Sequence, residues 1–230
     1  MYTEYIGDGD SASFKHVKEV VPHPGQDIVK KECVGHIQKR VGSRLRELRK
    51  NYKGKKLADG KGISGAKGKL TDAAINRLQN YYVIAIRQHK GDLPAMKKSA
   101  AAVLDHCAST DNNPKHTQCS NIWCGYLKDP RITNKGFGLD DAVYKVVKPI
   151  FSDLTGEALL SRCVDAYTQN NNESLNGLIW NRCAKEVYCG RQVLETAVTS
   201  AVCTFNDGDM CIAGVLGRLG IEPRENILTP

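Results

Sequence analysis

Aromatic residues are scarce in this chain, at 7% of 230 residues. No apolar run approaches the ~20 residues that span a bilayer, so no membrane helix is expected. The opening stretch MYTEYIGDGD lacks the basic and apolar blocks of a secretory leader, and a nuclear or otherwise intracellular, non-secreted chain is expected. Without a secretory route the sequon at Asn172-Glu173-Ser174 carries little meaning. Complete disulfide pairing is excluded too: nine cysteines is an odd number, which favours reduced thiols, some of them on metal. Acid is missing where base is dense. From Lys39 to Lys56 there are nine Lys/Arg residues and one acid, Glu47.

What is present points to anionic partners, nucleic acid first among them: the net charge is +8 and the isoelectric point about 9.0. Tyr2–Ile6 reads as a short strand, Ser11–Val21 as a helix stopped by Pro22 and Pro24, and Asp27–Lys31 as a second short strand. Cys33–Lys50 is a strong helix, with Val34, Ile37, Val41, Leu45 and Leu48 at three- and four-residue steps and basic faces elsewhere. Those basic faces are either solvated or in contact with phosphates. GKKLADGKGISGAKGKL follows and puts Ala66 where a phosphate-binding loop needs lysine, so it reads as a basic linker, mobile and touching phosphates or merely solvated. Further helices are expected after Thr71 (Ile75, Leu78, Tyr82, Ile86), over Leu93–Cys107, over Asp140–Lys148, over Gly156–Ala166 and towards the end. Residues 108–138 read as polar loop.

Running into that loop, DHCASTDNNPKHTQCSNIWCGY brings His106, His116, Cys119 and Cys124 within nineteen residues. Imidazole and thiolate suit tetrahedral zinc, and a long polar loop needs a staple, so one structural zinc per chain is expected. Cys107 is an alternative ligand to its neighbour. Cys33 and His36 form a separate C-x2-H pair that does not complete a site; a buried thiol beside a hydrogen-bonded imidazole is the plainer reading.

YIGDGDSAS poses a sharper choice. Asp10 or Ser11 can cap the next helix, whereas a calcium loop fails at Ala12 and Ser13. A catalytic carboxylate at Asp8 needs partners elsewhere. TQNNNESLNGLIWNR offers one, Glu173, just inside a helix, where an acid also favours the helix dipole.

Taken together, YIGDGDSAS, KKECVGHIQKRVGSRLREL, KGKLTDAAINRLQNYY, HCASTDNNPKHTQC, TQNNNESLNGLIWNR and AVCTFNDGD resemble the Mutator-like transposase domain found in many animal genomes. The resemblance implies a ribonuclease-H-like fold with a helical insertion, and DNA cleavage and joining by three carboxylates on two Mg²⁺ or Mn²⁺ ions. Asp8, the C-x2-H pair Cys33 and His36, and Glu173 match family positions in order. Asp8 fits the metal-ligand position better than Asp10, because it directly follows the strand. The family's first catalytic aspartate lies on an earlier strand, and with Met1 only seven residues before Asp8 the expectation is a C-terminal part, inactive alone.

The expected architecture is therefore α/β with a mostly helical insertion, a partial ribonuclease-H-like fold lacking its first three strands. It divides into 1–32 (strand–helix–strand), 33–160 (insertion with basic helix and zinc segment) and 161–230 (helical part carrying Glu173). DNA is the expected partner, through Lys39, Arg40, Arg44 and Lys53, with self-association left open. The rival reading is a non-enzymatic DNA-binding or protein-interaction module of the same ancestry.

Overall fold

A computed structural model describes residues 3–7, 11–20, 27–129, 131, 138–208 and 210–221, with only the backbone of Ser11. Asp8, Asp10 and Val21 lie outside the described residues. The chain divides into two compact units, Met1–Thr168 and Gln169–Pro230.

In the first unit, β1 (Glu4–Gly7) and β2 (Val29–Glu32) pair in parallel, Glu4 opposite Val29 and Gly7 opposite Glu32, with α1 (Ser11–Glu19) between them in sequence. Parallel neighbours need a crossover of this kind, and the strand–helix–strand order matches the expectation. The Cys33 N–H donates to the Gly7 carbonyl at 3.0 Å, so the ladder runs on to the start of the next helix. A two-stranded sheet has little face to bury. The core is built from helices instead, and the molecule is mixed α/β but helix-rich.

That core joins α2 (Val34–Asn51), α3 (Asp72–Gln88) and α4 (Leu93–Ala108) to a later helix, Asp141–Leu154. Val34, Ile37, Val41 and Leu45 on α2 are fully buried, as are Ile75, Leu78, Tyr82 and Ile86 on α3. Each such side chain contributes about 1.5–3 kcal/mol by leaving water. Thr71 caps α3 by accepting from the Ala74 N–H, and Asp92 caps α4 by accepting from the Ala95 N–H. At Gly42 α2 and α3 come close: a Cβ there would lie 1.9 Å from Gln79 Oε1. The Tyr82 hydroxyl donates to the Leu154 carbonyl, and its ring meets Phe151 edge-on at 6.1 Å.

The glycine- and lysine-rich stretch corrects the reading of a mobile or solvated linker. Leu57, Ile63 and Leu70 are buried in the core cluster. Lys69 is buried as well, its ammonium between Asp59 and Asp140. Gly68 has φ +83°, and a Cβ on it would run into the Asp140 carboxylate. Three apolar residues, spaced too widely to show a period, pin this segment down.

After α4 come the short α5 (Gly125–Lys128), then α6 (Asp141–Leu154), α7 (Glu157–Leu160) and one 3-10 turn, Ser161–Cys163. The second unit contains α8 (Asn170–Arg182), α9 (Arg191–Asp207) and α10 (Met210–Arg218). Arg182 holds α8 to α9, donating to Ser200 Oγ at 3.2 Å and Thr204 Oγ1 at 2.9 Å. Among the described residues of this unit only Cys183, Ala197 and Ala201 are buried. The three-part division by ancestry differs from these two units and belongs to the functional proposal below.

Candidate metal centre

His106 sits in the last turn of α4, and the loop beyond it returns to that turn twice. The Cys119 N–H donates to the His116 carbonyl at 3.0 Å, and the Cys124 N–H to the Ser120 carbonyl at 3.0 Å, so two tight turns aim three side chains at His106. Ala102, one turn earlier on α4, is fully buried against Cys119 and Cys124, with Trp123 and Tyr126 packed around them. A larger residue at 102 would push the thiols away.

The four ligand atoms all lie within 4.8 Å of one another. Cys119 Sγ is 3.6 Å from both His106 Nδ1 and His116 Nδ1; Cys124 Sγ is 3.8 Å and 3.4 Å from them. A tetrahedral zinc with ordinary Zn–S and Zn–N bonds places sulfur about 3.6 Å from nitrogen. The donor set and its spacing therefore fit a metal such as zinc.

The surroundings prepare both imidazoles. Nδ1 of His116 faces the centre, while its Nε2 lies 2.8 Å from Ser109 Oγ, which also accepts from the Lys115 N–H at 3.0 Å. With the Ser109 oxygen accepting from Nε2–H, Nδ1 is left with its lone pair towards the metal position. The His116 ring stacks on Tyr126 at 4.3 Å, and His106 meets Trp123 edge-on at 5.1 Å. Burial holds both histidines below the ordinary imidazole range, with His116 adding to the effect on His106. This favours the neutral imidazoles that metal ligation needs. Burial, then the neighbouring Cys124 thiol, pushes Cys119 up to about 12; a bound cation is what would make it a thiolate. The Lys115 ammonium ties the loop to α6, pairing with Asp141 at 2.8 Å over the Tyr144 ring.

Cys107 is not an alternative ligand. One residue round the helix from His106, it is buried in the main core cluster, and burial pushes its thiol up to about 12. The loop expected over 108–138 holds α5 and an isolated bridge, Thr110 to Asn113, besides the metal cluster.

The other predicted residues fall apart from this centre. Cys33 is a buried thiol at the N-cap of α2, and His36 is half-buried on that helix's first turn. Asp8 lies outside the described residues, immediately after the C-terminal end of β1. Glu173 is exposed in the first turn of α8, in the second unit. Lys39 and Lys53 are exposed. Arg40 instead turns back to Glu32, a carboxylate at 2% exposure, at 3.5 Å, while Arg162 approaches the same carboxylate at 3.4 Å. Arg44 pairs with Asp153 at 3.4 Å. Sequence reasoning missed Ser109 and the Glu32 pairing, since a serine after a helix and a glutamate ending a strand have no period to betray them.

A family model described as Mutator-like transposase matches residues 1–124, through β1, the basic helix and all four metal-cluster residues. No curated protein and no solved structure matches the chain.

Proposed function

The chain belongs to the Mutator-like transposase family, and from that premise we propose that it is a DNA-handling derivative of a DDE-type transposase, working in the nucleus. The family match over more than half of the chain is the observation that carries the reading. In this reading β1, α1 and β2 are part of a ribonuclease-H-like sheet, 33–160 is its helical insertion, and 161–230 returns to the core. The parallel pairing supports it. In sequence Asp8 directly follows β1, and open α/β sheets keep their chemistry at the carboxyl ends of strands.

A zinc held by His106, His116, Cys119 and Cys124 would have a structural role, since four protein ligands leave no open position for a substrate, and would tie the loop after α4 to the helical core. DNA is held by phosphate neutralisation on the outer face of α2 and the residues after it. Lys39, Lys50, Lys53, Lys55 and Lys56 are exposed there. Arg44 contributes once its exposed pair with Asp153 opens, and Arg40 serves the fold through Glu32.

Asp8 and Glu173 are the proposed ligands of Mg²⁺ or Mn²⁺, hard cations that carboxylate oxygens suit. Such ions, when bound, stabilise charge on the attacking and leaving oxygens of phosphoryl transfer. The proposal separates DNA binding, assigned to the exposed lysines, from cleavage, assigned to these two carboxylates.

A supercoiled-plasmid retardation assay tests this: the zinc-loaded chain should retard the plasmid. Asp8→Ala and Glu173→Ala should retard it equally well. Loss of retardation in either variant would contradict the separation, and failure to retard DNA at low salt would contradict the proposal.

A further inference from the structure

Outside the metal centre, a second pair of sulfurs meets in the second unit. Cys183 Sγ and Cys189 Sγ lie 2.8 Å apart, one at the C-terminal cap of α8 and the other just before the N-cap of α9. A turn closed by the Val187 N–H to the Ala184 carbonyl at 3.1 Å folds the intervening residues outward and brings the two cysteines together. Cys183 is buried and Cys189 half-exposed, so a small oxidant reaches one sulfur while the other waits behind it. Tyr188 between them is 95% exposed and blocks nothing.

We propose that Cys183 and Cys189 form a reversible dithiol–disulfide site, a modification centre that takes a low-molecular-weight disulfide such as oxidised glutathione as its oxidant. The Cys189 thiolate attacks one sulfur of the glutathione disulfide, forming the mixed disulfide and expelling one glutathione thiolate. The Cys183 thiolate then attacks the Cys189 sulfur, closing the protein disulfide and expelling the second. Two protein thiols give up two protons and two electrons, and one glutathione disulfide becomes two glutathione thiols. Closure joins the end of α8 to the start of α9 in a unit whose other buried residues, among those described, are two alanines, so a covalent staple adds order that its packing supplies sparsely.

Lys185 lies between the two cysteines and Arg182 just before them, so trypsin separates Cys183-Ala184-Lys185 from Glu186–Arg191. The full zinc-loaded chain is equilibrated in glutathione buffers of graded oxidation, quenched with acid, alkylated under denaturing conditions and digested. The expected result is a disulfide-linked pair of these two peptides. It should rise from one tenth to nine tenths of the total over roughly an 80-fold increase in [GSSG]/[GSH]², the span of a single two-electron step. In Cys183→Ser, Cys189 should stop at the glutathione adduct. Full alkylation of both cysteines in the most oxidising buffer would overturn the proposal. Links from either one to Cys203, Cys211 or a second chain as the main product would overturn it as well.

Discussion

Ser109 has no ligand atom in the metal cluster, yet its Oγ lies 2.8 Å from the His116 nitrogen that faces away from the cluster. It accepts from the Lys115 N–H at 3.0 Å, and in the tautomer that leaves Nδ1 open to a metal it would also accept from Nε2–H, fixing ring and loop backbone at one point. Loss of such an outer partner ordinarily weakens metal binding about 10–100-fold. Ser109→Ala should do so in a competition titration against a chelator, with helix content unchanged; unaltered affinity would show that the ring is held by Tyr126 stacking alone. Lys69 sets a second expectation. Burial lowers its pKa, but the hydrogen bonds to Asp59 and then Asp140 outweigh that, and the net direction is upward. A raised pKa contributes stability that is complete below the ordinary lysine value of 10.5 and is lost as pH rises through the folded value. Unfolding midpoints should fall more steeply above about pH 10.5 in the parent than in Lys69→Met; parallel curves would count against the pairing.

At the scale of elements, α2 presents a buried apolar stripe and an exposed basic face. Its inner stripe was legible from the three- and four-residue steps of Val34, Ile37, Val41 and Leu45, because a helix must bury such a stripe. Its outer charges were legible only as a total. Which arginines serve the fold depends on carboxylates eight or more than a hundred residues away, as Arg40 with Glu32 and Arg44 with Asp153 illustrate, and no local pattern encodes such pairs. Arg40→Ala should therefore cost about 1–3 kcal/mol in denaturant unfolding, since it strips a partner from a buried carboxylate. Replacing Lys50, Lys53, Lys55 and Lys56 by alanine should leave the unfolding midpoint within about 0.5 kcal/mol of the parent, as exposed substitutions do. The reverse pattern would contradict this division of labour. The metal loop was legible for a different reason: ligand chemistry restricts which residue types can gather, so His106, His116, Cys119 and Cys124 stood out without a periodic signal. The segment after α2 was not legible, because Leu57, Ile63 and Leu70 are buried one at a time among glycines and lysines.

For the whole molecule, the strand–helix–strand start and the helical middle follow from periodicity and caps, while the boundary near residue 168 does not, since it depends on long-range packing. Metal removal should act locally within this frame. The helical core of α2, α3, α4 and α6 buries its own apolar stripes, whereas the loop carrying His116, Cys119 and Cys124 buries few apolar residues and is tied to α6 by Lys115. Chelation should expose Lys115 and Lys128 to trypsin while leaving the α2–α4 region resistant; loss of both together would make the metal a condition for the entire unit. The central claim, that a Mutator-like transposase chain holds DNA through the phosphates by an exposed lysine face, is tested most directly by the salt dependence of duplex binding. Neutralising about five phosphates predicts a log–log slope of roughly −4 to −5, the same for unrelated sequences and flattened in the four-lysine variant. An affinity independent of salt, or a slope unchanged in that variant, would contradict it.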